Sequence, residues 1–123
     1  MPLRIGNVAI DCDDVQKVAR FWSAAIGRPL DGFSDAGFAS IGIHDVDRGD
    51  PAWLFEKVPE PKTAKNRVHL DFVDPDVAFV ERLLSLGASV VAEHDVPGTG
   101  HGWTVMQDPE GNEFCVSRTV YSG

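Results

Sequence analysis

Asp14-Val15-Gln16-Lys17-Val18-Ala19-Arg20-Phe21-Trp22-Ser23 has a near-copy in the same chain, Asp76-Val77-Ala78-Phe79-Val80-Glu81-Arg82-Leu83-Leu84-Ser85. A shift of 62 positions lays Asp14, Val15, Val18, Arg20 and Ser23 on Asp76, Val77, Val80, Arg82 and Ser85. Without a gap, it also lays Asn7-Val8-Ala9-Ile10 on His69-Leu70-Asp71-Phe72. Each copy reads as a short apolar strand, an acidic turn, an amphipathic helix and a closing glycine, Gly27 or Gly87. A unit of about 60 residues is too long for a solenoid repeat, and two copies fill the 123 residues. The economical reading is one domain, 1–123, built as a pseudo-symmetric pair: module one 4–58, a linker 59–66, and module two 67–119. A site on the pseudo-axis would draw on equivalent positions of both copies.

Outward from the two helices, the elements follow local chemistry. Ile5 to Asp11 alternates as a strand. Asp13 or Asp14 caps the first helix, because a short carboxylate accepts the unpaired first-turn N–H groups. Val15, Val18, Ala19, Trp22 and Ile26 recur at helical spacing, and Gly27 with Pro29 ends the helix. Phe38–Ile43 and Trp53–Val58 read as strands joined by the polar stretch Asp45 to Pro51. In the second module, Val68–Val73 is a strand, and Asp74-Pro75-Asp76 opens a helix with proline in its first turn. Val77, Val80, Leu83 and Leu84 form that helix's apolar face. Ser89–Glu93, Trp103–Gln107 and Glu113–Arg118 read as strands, and Asp108-Pro109-Glu110-Gly111-Asn112 is a tight hairpin turn. The pattern is an α+β fold of two βαβββ modules. Pro97 to Gly102 holds three glycines and reads equally as a mobile loop beside a site or an ordinary connection.

Composition bounds the function. The net charge is −8 and the apolar fraction 43 %. An acidic chain disfavours nucleic acid and anionic membrane as partners. It suits a soluble surface, or a cationic ligand if the charge is focused in a cleft. No apolar run approaches the roughly 18–20 residues of a membrane span, and Met1-Pro2-Leu3-Arg4-Ile5-Gly6 has no signal-peptide character. Two cysteines, Cys12 and Cys115, give no disulfide framework, so a cytoplasmic location is expected.

The paired modules, the helix ending in glycine and the closing Asp108-Pro109-Glu110-Gly111-Asn112-Glu113-Phe114 resemble the vicinal oxygen chelate superfamily, which holds glyoxalase, bleomycin-resistance and extradiol-dioxygenase relatives. Lys65-Asn66-Arg67-Val68-His69-Leu70-Asp71, followed by Trp103-Thr104-Val105 and the Asp108–Phe114 turn, is similar to a glyoxalase-like branch common in actinobacteria. The resemblance implies that each module curls its strands into a half-barrel with a concave cleft, and that the protein is a homodimer acting on a small molecule. It also implies a metal site with one ligand from the first and one from the last strand of each module. The repeat gives Asn7 and His69 for the first strands. Laying Phe55 on Phe114 gives Glu56 and Cys115 for the last strands.

Strand alternation turns Asn7, Glu56, His69 and Cys115 to one face, with Val8, Ile10, Phe55, Leu70, Phe72, Phe114 and Val116 toward the helices. Only His69 and Glu56 are ligands of the kind the resemblance implies. Asn7 is a weak oxygen donor. Cys115 stands where a carboxylate is expected; it could bind zinc as a thiolate or line a pocket as a small apolar residue. This depleted set argues against glyoxalase I activity proper. A divalent ion (zinc, nickel, manganese or iron) is one reading; a cleft that works without metal is the favoured one.

If the cleft is catalytic, Glu56 and His69 are the expected acid–base pair for proton abstraction beside a carbonyl, as in a lyase or isomerase. The same pair could merely satisfy each other's hydrogen bonds. Asp71, Glu113, Trp103 and His101 are expected to contact the ligand, making an acidic, aromatic-walled pocket. Phe21 or Trp22, and Trp53, are expected in the core. His44 and His94 are read as surface residues. The alternative function is sequestration of a ligand without chemistry, as the bleomycin-resistance relatives imply.

Overall fold

The computed structural model describes residues 1–44, 50–73 and 78–117. They form two compact units, Met1–Pro61 and Lys62–Gly123. The boundary lies inside the linker read from the sequence.

The first unit holds β1 (Asn7–Cys12), α1 (Val15–Ile26), β2 (Phe38–Ile41) and β3 (Ala52–Lys57). Its sheet has the order β1-β3-β2, with β1 parallel and β2 antiparallel to β3. Asp14 caps α1 by accepting the Lys17 N–H at 3.2 Å. Gly27 ends it in the left-handed region at φ 69°, a conformation that would cost a side chain. The helix buries Val15, Val18, Ala19, Phe21, Trp22 and Ala25 and packs on β2 and β3. Trp22 and Trp53 lie 5.0 Å apart between ring centroids, and Trp53 continues onto Phe55 at 6.4 Å. Each such large apolar side chain contributes about 1.5–3 kcal/mol by leaving water. Both Phe21 and Trp22 are therefore core residues, as is Trp53.

This module departs from a full βαβββ pattern. The strand expected after α1 is reduced to a single bridge, Leu30 to Ile41. The cause is local. Pro29 has no N–H to give a ladder, and Asp31 binds the next strand's end with its side chain. Its carboxylate accepts the Ser40 hydroxyl at 2.6 Å and the Gly42 and Ile43 N–H groups at 3.1 and 3.0 Å. Those two N–H groups thus find a carboxylate in place of a neighbouring strand. β2 ends at Ile41, short of the expected Ile43, and residues 45–49 of the expected polar link lie outside the described residues.

The second unit holds β4 (Leu70–Val73), α2 (Phe79–Ser85), β5 (Ser89–Val96), β6 (His101–Gln107) and β7 (Glu113–Ser117) in the order β4-β7-β6-β5. The proline turn at 74–76, Val77 and Arg118 lie outside the described residues. α2 buries Leu83, whereas Leu84, expected on the same face, is exposed. Phe114, Val116, Met106 and Thr104 are buried on one sheet face. β5 and β6 run longer than the alternation suggested, leaving residues 97–100 as a short hairpin turn. Gly98 and Gly100 take φ 77° and 72° in it, and Thr99 donates its hydroxyl to the Val96 carbonyl at 2.7 Å. The glycines serve this turn. At the other end, Asp108 organises the turn between β6 and β7, as its sequence indicated.

Candidate functional site

Register decides which side chains meet. In the second unit Asp71 pairs with Cys115, Val105 with Cys115, Trp103 with Ser117, and His94 with Trp103. Directly paired residues share a face, and residues two apart on a strand share it too. Asp71, Glu113, Cys115, Trp103 and His94 therefore line the face opposite Phe114, Val116 and Met106.

On that face three donors gather. His69 Nε2 lies 3.3 Å from Asp71 Oδ1, and the ligating atoms of His69, Asp71 and Cys115 all lie within 4.8 Å of one another. His69 and Asp71 have exposed side chains, while Cys115 is only 7 % exposed. Burial pushes the Cys115 thiol above its ordinary pKa, and the negative charge and hydrogen bond of Asp71 add to the shift. The cluster thus consists of a protonated thiol, a carboxylate and an imidazole. A His-x-Asp spacing on one strand face carries this signal in the sequence. Asp71 was expected as a ligand contact; the structure makes it the partner of both His69 and Cys115.

Glu113 has a different setting from the acidic pocket wall expected of it. Lys62 Nζ lies 2.9 Å from Oε1, and the Asn66 N–H donates to Oε2 at 2.9 Å. Burial alone would raise its pKa, but the bonds from Asn66 and Lys62 outweigh it and hold the carboxyl below its usual range. Its charge is already neutralised by residues of the former linker. Lys62 and Asn66 are site neighbours that sequence reasoning missed.

Trp103 is 37 % exposed and stacks on His94, with centroids 5.1 Å apart and planes 24° from parallel. His94, read as a surface residue, belongs to a two-ring plate. Extending β5 beyond Glu93 reveals it. His101 opens β6 opposite Val96, and its N–H donates to Thr99 Oγ1 at 3.1 Å. Its side chain is at the hairpin end, exposed.

In the first unit, Asn7 opens β1 opposite Ala52, and Glu56 lies opposite Asp11, four rungs further along. The overlay of Asn7 on His69 and the overlay of Phe55 on Phe114 differ by two residues once the ladders are compared. Val8 pairs with Trp53 as Leu70 pairs with Phe114, and Val8 and Leu70 are mates in the repeat. Under that shift Trp53 would be the mate of Phe114; keeping Phe55 on Phe114 instead makes Ile10, which pairs with Phe55, the mate of Leu70 and leaves Glu56 as the mate of Cys115. A two-residue slip keeps every side chain on its face, so alternation was blind to it.

A glyoxalase-like domain family model matches residues 7–117. No curated protein matches the chain. Among solved structures, a glyoxalase/bleomycin resistance protein/dioxygenase family enzyme from Burkholderia phytofirmans PsJN is similar at 18 % identity. Its TM-score is 0.67, with 91 % of this chain and 95 % of that one covered. A lactoylglutathione lyase from Agrobacterium tumefaciens is similar at 19 % identity and a TM-score of 0.61, covering 95 % and 94 %. The fosfomycin resistance protein FosX from Listeria monocytogenes, as an E126Q mutant complexed with Mn(II) and 1S,2S-dihydroxypropylphosphonic acid, is similar at 12 % identity and a TM-score of 0.74, covering 98 % and 93 %. Among the described residues no helix is long and apolar enough to cross a membrane. With a family match over nearly its whole length, the chain belongs to the glyoxalase-like domain family.

Proposed function

We propose that this protein binds a small carbonyl-bearing molecule on the second sheet's open face and acts on it as a lyase or isomerase. The observation that carries this reading is the His69–Asp71 pair at 3.3 Å, beside the Cys115 thiol. Asp71 holds the imidazole in one orientation. A ring N–H of that imidazole donated to a substrate carbonyl polarises it, and so favours loss of the proton from the adjacent carbon. The Trp103–His94 plate supports a planar portion of the ligand. The sequence nominated Glu56 as the partner of His69; within the second unit that partner is Asp71. Glu56 stays a nominee for the base that accepts the carbon-bound proton.

The second reading, sequestration without chemistry, is favoured by the same aromatic plate. The relatives bearing resistance names lend it precedent. We further propose a homodimer in a reducing, cytoplasmic setting, in keeping with two buried thiols.

The test is deuterium incorporation into a panel of 2-hydroxyketones, followed by NMR, with tryptophan emission as the binding readout. Trp22 and Trp53 are buried, so Trp103 reports the ligand. Exchange that is lost in H69A and D71N supports the enzyme, and its loss in E56A supports Glu56 as the base. Quenching without exchange, with the ligand recovered unchanged, supports sequestration. Neither quenching nor exchange across the panel refutes both for this substrate class.

A further inference from the structure

The metal seen in the FosX relative is Mn(II), a hard ion that prefers six oxygen or nitrogen donors. The residues gathered here do not fit that preference. They offer one imidazole nitrogen, one carboxylate oxygen and one sulfur, all from the second unit. Sulfur is the discriminating donor, because thiolate selects zinc-type ions over manganese and magnesium. We infer that His69, Asp71 and Cys115 form a three-donor site for a thiophilic, tetrahedral divalent ion, zinc or cobalt, contained within the second module and requiring neither Asn7 nor Glu56.

Three features support this. The ladder places Asp71 directly across from Cys115, so two donors sit on neighbouring strands with their side chains on the same face. His69 precedes Asp71 by two residues, which brings the third donor to that face. The donor separations also suit the ion. Tetrahedral zinc with bonds of about 2.0–2.3 Å places its ligands roughly 3.3–3.8 Å apart. His69 and Asp71 are already at 3.3 Å, and the 4.8 Å bound on the rest closes by small rotations. The two side chains that must rotate are the exposed ones, while Cys115 is anchored by burial. On binding, the sulfur coordinates as thiolate and its proton leaves to solvent. Three protein ligands leave a fourth position for a ligand oxygen.

This inference rests on the proposed function and deepens it: held by these residues, the ion would supply a positive centre for polarising a carbonyl. It stands or falls on spectra and not on turnover, so the two can fail separately. The test is titration of the chelator-treated protein with cobalt(II), read by absorption. The expected result is an intense sulfur-to-cobalt charge-transfer band in the near ultraviolet with tetrahedral bands in the visible. One equivalent of zinc should abolish both, whereas a hundredfold excess of manganese should leave them. C115S should lose the charge-transfer band. D71N and H69A, altered at exposed positions, should weaken cobalt binding at least tenfold while leaving the fold's circular dichroism intact. E56A should give the wild-type spectrum. Absence of the band, equal competition by manganese, or loss of the band in E56A would each overturn the assignment.

Discussion

Replacing Asp108 tests whether one side chain sets the hairpin that carries Cys115. Asp108 is almost wholly buried, at 3 % exposed. Its Oδ1 accepts the N–H groups of Glu110 and Asn112 at 2.9 and 3.0 Å, and its Oδ2 accepts Asn112 Nδ2 at 2.9 Å. The turn closes with backbone bonds between Asp108 and Asn112, and between Gly111 and Asp108, both at 2.9 Å. D108A removes three acceptor interactions. At about 1 kcal/mol each, the loss is roughly 3 kcal/mol. For a chain of this size that is on the order of 10 °C in melting temperature.

D108N should behave differently, because both backbone N–H groups go to a single oxygen that an amide retains. The introduced NH2 group would face Asn112 Nδ2, a conflict that Asn112 relieves by turning its own amide over. The expected loss is about 1 kcal/mol or less. The assay is urea unfolding followed by tryptophan emission, with both variants compared at one pH. A loss below about 1 kcal/mol in D108A, or equal losses in the two variants, would refute the claim that these bonds hold the turn.

Two further predictions concern the same sheet. Thr104 is fully buried, and its hydroxyl has no hydrogen-bond partner among the described residues; T104V keeps the shape and removes an unpaired polar group, so it should raise stability by about 1 kcal/mol, seen as a higher urea midpoint at unchanged slope. Glu113 has a folded-state pKa below its reference value of 4.5, so its stabilising effect is complete above that value and is lost as pH falls through the folded pKa. Acid unfolding curves should therefore be less steep for E113Q than for the wild type, and an unchanged pH dependence would show that Lys62 and Asn66 contribute nothing to stability.

The sequence by itself determined the modular plan and the faces. The 62-residue repeat announced two modules. Asp14 and Gly27 bounded α1, and Asp108 to Asn112 marked the β6–β7 turn, because caps and turns are made by residues close in the chain. Alternation placed Asp71 and Cys115 on one face and Phe114 on the other, because a strand's side chains have a period of two.

What the sequence could not determine was which residue lies opposite which. Shifting a strand by two residues leaves its faces unchanged, so alternation could not reveal that the overlays of the first and last strands differ by two until the ladders were seen. The same holds for contacts between distant segments. Lys62 reaching Glu113, and His94 lying flat on Trp103, depend on where ladders and linker bring residues together. Local chemistry wrote the elements into the chain; only the hydrogen-bond register between strands decided that His69 and Asp71 meet Cys115.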